Sequence, residues 1–138
     1  PMSHLKLQKL LYYSDAYHLA YFDNPLIEEE FEAWVHGPVC RDVFNSLRDK
    51  SLLYSDLGFD GESNPTETLQ SDLTQDQFTL LSDVLSELSQ WTGFQLESAT
   101  HKEKPWLEAR QGYGPGDRCN VVISKDTMRD FYKSEVNG

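Results

Sequence analysis

The chain has 138 residues, 38% of them hydrophobic and 12% aromatic. That is enough for one core, too little for two, and it excludes a disordered tail. Twenty-three acids against twelve lysines and arginines leave a net charge of −11, a surface that repels phosphate backbones and argues against direct nucleic-acid binding.

The acids are spread along the chain rather than gathered in a tail, which suits solubility or steering of a basic protein partner. No apolar run approaches the ~20 residues that cross a bilayer, and nothing reads as a signal peptide. The expected location is the cytoplasm. Cys40 and Cys119 lack a C-x-x-C pairing and read as two reduced thiols. Pro1 before Met2 is expected to be a protease-site scar or the mark of a removed initiator methionine, and it is left out of the fold reading.

In chain order, Ser3 is placed to cap a helix from about His4 to Phe22. Leu7, Leu10, Leu11, Ser14, Tyr17 and Tyr21 line one face, and Leu5, Tyr12, Ala16 and Leu19 the opposite one, so this helix belongs inside the domain. Asp23-Asn24-Pro25 ends it. Phe31, Ala33 and Val35 alternate with Glu30, Glu32 and Trp34 as in a half-buried strand. Gly37-Pro38 then predicts a turn, with Pro38 opening a helix to about Asp49 through Val39, Cys40, Val43, Phe44 and Leu47.

Residues 55–72 lack periodicity and predict a long mobile loop. Thr74 with Gln77, and Thr92 with Gln95, predict capping boxes. The first opens a helix over 75–90, with Leu73 and Phe78 as a staple and a stripe of Phe78, Leu81, Val84 or Leu85, Leu88 and Trp91. The second opens a short helix covering Leu96. Pro105 predicts a short helix ending near Arg110, Gly112–Gly116 a flexible loop, and 121–123 a strand beside 31–35. Ser124 predicts a cap for a last helix over 125–135, packed through Met128, Phe131 and Tyr132. The expected fold is mainly α: a single compact helical domain, 1–138, with a buried central N-terminal helix and a small accessory β element.

His4, His18, His36 and His101 share no metal-ligand spacing, and no metal or cofactor is expected. His18, on a buried helix, reads as a hydrogen-bonded core residue. Cys40, near the expected helix start, offers a nucleophile with His36 or His101, against the plainer role of a small buried hydrophobe. The Glu28-Glu29-Glu30 run with Glu32 reads as a solvated edge rather than an acid–base pair. The glycines of 112–116 lack the Lys and Ser/Thr of a phosphate loop. What remains is recognition: Trp34, His36, Trp91 and Trp106 sit near element ends, although each tryptophan alone reads more simply as closing a small core.

Leu5-Lys-Leu-Gln-Lys-Leu-Leu-Tyr-Tyr13, Tyr17-His-Leu-Ala20, Trp34-Val-His-Gly-Pro-Val39, Thr100-His-Lys-Glu-Lys-Pro-Trp106 and Ala109-Arg110 together resemble the Panacea domain, an antitoxin family also described as SocA-like or phage-associated GepA-like. Ile123-Ser-Lys-Asp-Thr with Phe131-Tyr132 resembles the family's final segment, so the likeness covers nearly the whole chain. Two departures stand out: the helix that precedes the Lys-Leu-Gln-Lys-Leu motif in many members is absent or shortened, and Cys40-Arg41-Asp42 replaces a proline-containing continuation.

The resemblance implies a mainly α bacterial or phage protein that neutralises a cognate toxin by binding it. One branch of the family delivers its toxin to an ATP-dependent protease. No catalytic residue set comes with the likeness. The residues expected near the toxin are Trp34, His36, His101, Trp106 and the acids Glu28, Glu30 and Glu32, with aromatic anchors for affinity and acids to steer a basic toxin. Truncating Trp34 or Trp106 is expected to weaken neutralisation and spare the fold. The rival from another class is a small thiol hydrolase built on Cys40, His36 and His101.

Overall fold

The computed structural model describes residues 2–47, 56–57 and 73–137. Its first long element, α1 (His4–Phe22), starts where Ser3 Oγ accepts the Lys6 amide at 3.1 Å. It stops where Asp23 turns left-handed at φ 60° and gives its N–H to Leu19 O. Apolar residues on both faces make α1 central, with most of the other described helices and the hairpin packed against it. Tyr12, near its middle, is fully buried and meets Phe31 and Tyr132 edge-to-face.

The strand expected at 31–35 is β2 (Phe31–Trp34), with Phe31 and Ala33 buried and Glu32 and Trp34 half-buried. Its partner corrects the reading of the following segment. Gly37 and Pro38 do not open a helix; Gly37–Cys40 form β3, antiparallel to β2 with Trp34 opposite Gly37 and Phe31 opposite Cys40. The turn is Val35-His36, a two-residue hairpin loop, and Gly37 leaves it at φ +104°. Pro38 is tolerated because, among the described residues, β3 pairs on one side only. Val39 and Cys40 are therefore buried strand residues, and α2 (Arg41–Leu47) starts after them. The remainder of the helix expected to Asp49 lies outside the described residues.

A two-residue pairing that periodicity did not suggest joins β1 (Met2–Ser3) to β4 (Asp56–Leu57). The other residues of the expected 55–72 loop lie outside the described residues. Both capping boxes form as read: Thr74 and Gln77 open α3 (Gln75–Leu88), and Thr92 and Gln95 open α4 (Gly93–Thr100). Then come α5 (Lys104–Ala109), with Pro105 in its first turn, and α6 (Lys125–Asn137), whose first turn Ser124 caps.

The strand expected at 121–123 shrinks to one bridge, Glu32 to Val122, because Val121 and Val122 face solvent and only Ile123 enters the core. Met128 and Tyr132 of α6 are fully buried, whereas Phe131 is half-buried. Asp15, completely buried, ties the 24–30 connection down by accepting the Leu26 and Ile27 amides at 2.9 and 3.0 Å and the Lys125 ammonium at 2.5 Å. The architecture is mainly α with a small β element, as the resemblance implied.

Candidate partner-binding site

The hairpin is held from beneath by polar side chains of α1, residues that usually seek water. Gln8, with no exposed surface, grips the Cys40 backbone twice: its Oε1 accepts the Cys40 amide at 2.9 Å and its Nε2 donates to Cys40 O at 3.3 Å. Lys9, equally buried, donates from Nζ to Pro38 O at 3.0 Å. Burial lowers the Lys9 pKa from 10.5 to about 7, against a smaller opposing pull from Glu97. A Cβ on Gly37 would stand 2.7 Å from Lys9 Cε and 2.9 Å from Thr100 Oγ1, so backbone, lysine and threonine close on a space that only glycine leaves open.

On the other side of the hairpin, Trp106 is 7% exposed and donates from Nε1 to Trp34 O at 2.8 Å. His101 stacks on its ring at 4.2 Å between centroids. Burial lowers the His101 pKa, and its Nε2 has no hydrogen-bond partner. The Arg110 guanidinium lies 5.0 Å from the centroid of the Trp106 ring and donates to Ala33 O, Gly114 O and Asp117 O at 2.9, 2.9 and 2.6 Å. It thereby fixes the 111–120 loop against β2. His36, at the hairpin tip, meets Glu97 Oε1 through Nδ1 at 2.9 Å and keeps 47% of its side chain exposed.

These supports shape an open groove of about 570 Å³ at the hairpin end. Trp34 and Phe44 form an aromatic wall, 4.9 Å between centroids, and His36, Arg41, Arg118 and Asn120 bring the polar groups. Arg41 lies over the Trp34 ring at 5.4 Å and forks onto Glu32 at 2.9 and 2.8 Å. That hydrogen-bonded pairing lowers the Glu32 pKa, and Glu32 also accepts the Trp34 indole N–H at 2.9 Å. Arg118 makes no ion pair among the described residues.

Of the residues expected to form the partner face, Trp34 and His36 share this groove, with Glu32 behind it as the anchor of Arg41. Glu28 and Glu30 are exposed just before β2, at the far end of the strand from Trp34, roughly 13 Å along it. Trp106 and His101 lie behind the hairpin and support it. Trp91 is 41% exposed beyond α3, away from the groove. At the groove, Glu32 and Glu97 are thus matched by Arg41 and His36, and Arg118 adds a further cation.

Cys40 is fully buried at the end of β3, and burial raises its thiol pKa, the reverse of what a nucleophile needs. The helix start that was to activate it lies one residue later. Both cysteines are free thiols and both are buried. Among the described residues no cluster of His, Cys, Asp or Glu gathers to hold a metal. No helix of those residues is long and apolar enough to cross a membrane.

Residues 7–107 match the family model described as antitoxin SocA-like, Panacea domain. The chain belongs to this family. It is also 27% identical over 137 residues to antitoxin SocA of Caulobacter vibrioides (strain NA1000 / CB15N), covering 96% of this chain and 73% of that protein. No solved structure matches. Gln8, Lys9, Glu97 and Arg110 went unread as a group, because buried polar residues contradict the hydrophobic patterns that locate elements. The available signal was a Gln-Lys pair inside a helix apolar on both faces.

Proposed function

We propose that this chain is a cytoplasmic antitoxin that neutralises a cognate toxin by direct protein–protein contact, with the Trp34–His36 end of the hairpin at the contact. The observation that carries this reading is the open groove itself: a half-buried tryptophan beside Arg41, Arg118 and His36, on a strand pair pinned by buried bonds. Tryptophan and arginine on a rigid support are the groups that anchor protein interfaces. A standard interface of ~1,600 Å² in total is within reach of a domain of this size. Family membership supports the antitoxin role, and the burial of Cys40, which raises its thiol pKa, weighs against the rival hydrolase that depended on it.

On this face Trp34 supplies apolar area and a fixed ring, and the arginines seek carboxylates or carbonyls of the toxin. Glu28 and Glu30, outside the groove, act on encounter rather than contact, attracting a basic toxin. Trp106 and His101 serve indirectly by holding the hairpin.

The test is co-expression with the product of the adjacent open reading frame. Toxicity of the neighbour alone, relieved together with a stable complex that Trp34→Ala disrupts, is the expected result. Relief without a complex, with rapid loss of the neighbour, points to delivery to an ATP-dependent protease. A harmless neighbour that never co-purifies overturns the reading.

A further inference from the structure

A second groove, of about 510 Å³, lies between the C-terminal half of α1 and α3. Tyr17 and Tyr21 form one wall, and Leu80, Val84 and Leu88, at helical i, i+4, i+8 spacing, form the other. Tyr21 is 55% exposed although it belongs to a helix otherwise enclosed by the fold. It lies twelve residues beyond Lys9, roughly 18 Å along α1 from the hairpin's support, so this is a separate face.

The rim is acidic. Asp76, Asp83 and Glu87 border the groove, all exposed, and none of the three has an ion-pair partner among the described residues. Some other surface acids do have cations, Asp23 with Lys133, Glu32 with Arg41, and Asp126 and Asp130 with Arg129, whereas the rim acids share one groove without any among the described residues. An apolar trough under a row of unneutralised carboxylates is complementary to a helix with an apolar stripe flanked by lysine or arginine.

We propose that the α1–α3 groove docks a basic amphipathic helix of a partner protein. The apolar stripe of that helix packs on Tyr21, Leu80, Val84 and Leu88, and its cations face Asp76, Asp83 and Glu87. From Asp76 to Glu87 is eleven residues, roughly 16 Å, matching about three turns of incoming helix. A second copy of this chain, at net −11, brings like charge to the rim. Residues 58–72 carry four acids and no lysine or arginine, and residues 48–55 carry only Arg48 and Lys50 against Asp49, a net +1 for three rim carboxylates. The assignment stands apart from the toxin contact at the hairpin and does not depend on it.

The probe is a fluorescein-labelled amphipathic helix of about fourteen residues, with leucine on one stripe and lysine on its flanks, titrated against the intact protein and read by anisotropy. Saturable binding is expected, weakened at least about tenfold by Asp76→Lys/Asp83→Lys/Glu87→Lys and by Tyr21→Ala, all at exposed positions. Glu28→Lys/Glu29→Lys/Glu30→Lys, equal in charge change, is expected to alter binding less than about twofold. Equal loss in both triple variants would mean general attraction to an acidic protein and overturns the proposal. So does equal binding by a peptide with glutamate in place of lysine, absence of saturable binding, or sedimentation showing that the groove is buried by self-association that Tyr21→Ala releases.

Discussion

Replacing Lys9 by methionine isolates the cost of burying an amine beneath the hairpin. Lys9 has no exposed surface, and its pKa falls from 10.5 to about 7 chiefly by desolvation. Below pH 7 the amine is protonated in both the folded and the unfolded chain, and folding bears the full cost of burying the charge. As pH rises through 7 the folded state releases the proton, while the unfolded chain holds it until about 10.5. Stability therefore rises with pH between those values, by up to about 1.4 kcal/mol per pH unit, or about 5 kcal/mol over the whole window.

Lys9→Met keeps an unbranched side chain one atom shorter and removes the titration, at the expense of one bond to Pro38 O. Urea midpoints of both proteins from pH 6 to 9.5 give the contrast. Relative to the variant, the wild type is expected to gain about 3 kcal/mol between pH 7 and 9.5. Parallel stability curves refute the reasoning, and would mean that Lys9 stays charged in the fold, balanced by Glu97.

Arg110→Met removes three carbonyl contacts made by the guanidinium of a residue only 4% exposed and is expected to cost about 4 kcal/mol by urea unfolding, with Arg110→Lys recovering only part. Gly37→Ala adds a Cβ at φ +104° against Lys9 and Thr100 and is expected to lower stability by about 2–3 kcal/mol, seen as a fall in thermal midpoint. The two tryptophans separate: Trp34→Ala is expected to weaken toxin binding about tenfold or more with the thermal midpoint nearly kept, measured by co-purification and calorimetry. Trp106→Ala, at a ring only 7% exposed, is expected to cost about 3–5 kcal/mol in urea.

Element existence was legible where one local rule decided it. The limits of α1 follow from Ser3 and Asp23, and both capping boxes from a threonine and glutamine three residues apart. The segment Gly37–Cys40 misled because Gly-Pro before a run of apolar residues satisfies the helix-start rule and the hairpin-exit rule equally. The decision was tertiary: Gln8 and Lys9 supply hydrogen bonds that hold Pro38 and Cys40 in an extended edge strand. The short β1–β4 pairing was illegible because two residues carry no period. At the site, Trp34 and His36 were found from their place at a junction. Arg118 was missed because only the loop fixed by Arg110 brings it beside them.

The segments that carry the family likeness turn out to grip one another. Gln8 and Lys9 of the first hold Cys40 and Pro38 of the hairpin, Gly37 leaves room for Lys9 and Thr100, and Trp106 takes the Trp34 carbonyl. Most of these side chains are buried, and a buried side chain presents no surface by which one toxin is told from another. Their work is to hold one hairpin in one place. On the proposed reading, partner choice falls to the exposed groups arranged around that frame: Trp34, His36, Arg41 and Arg118 at the hairpin end, with Glu28 and Glu30 on the approach. Exchanging those exposed positions for the ones another family member carries is therefore expected to move toxin preference while leaving the unfolding midpoint close to that of the parent, as neutralisation assays against both toxins and parallel melts would show. A swap that moves the midpoint by ten degrees or so, and preference not at all, places discrimination elsewhere on the molecule.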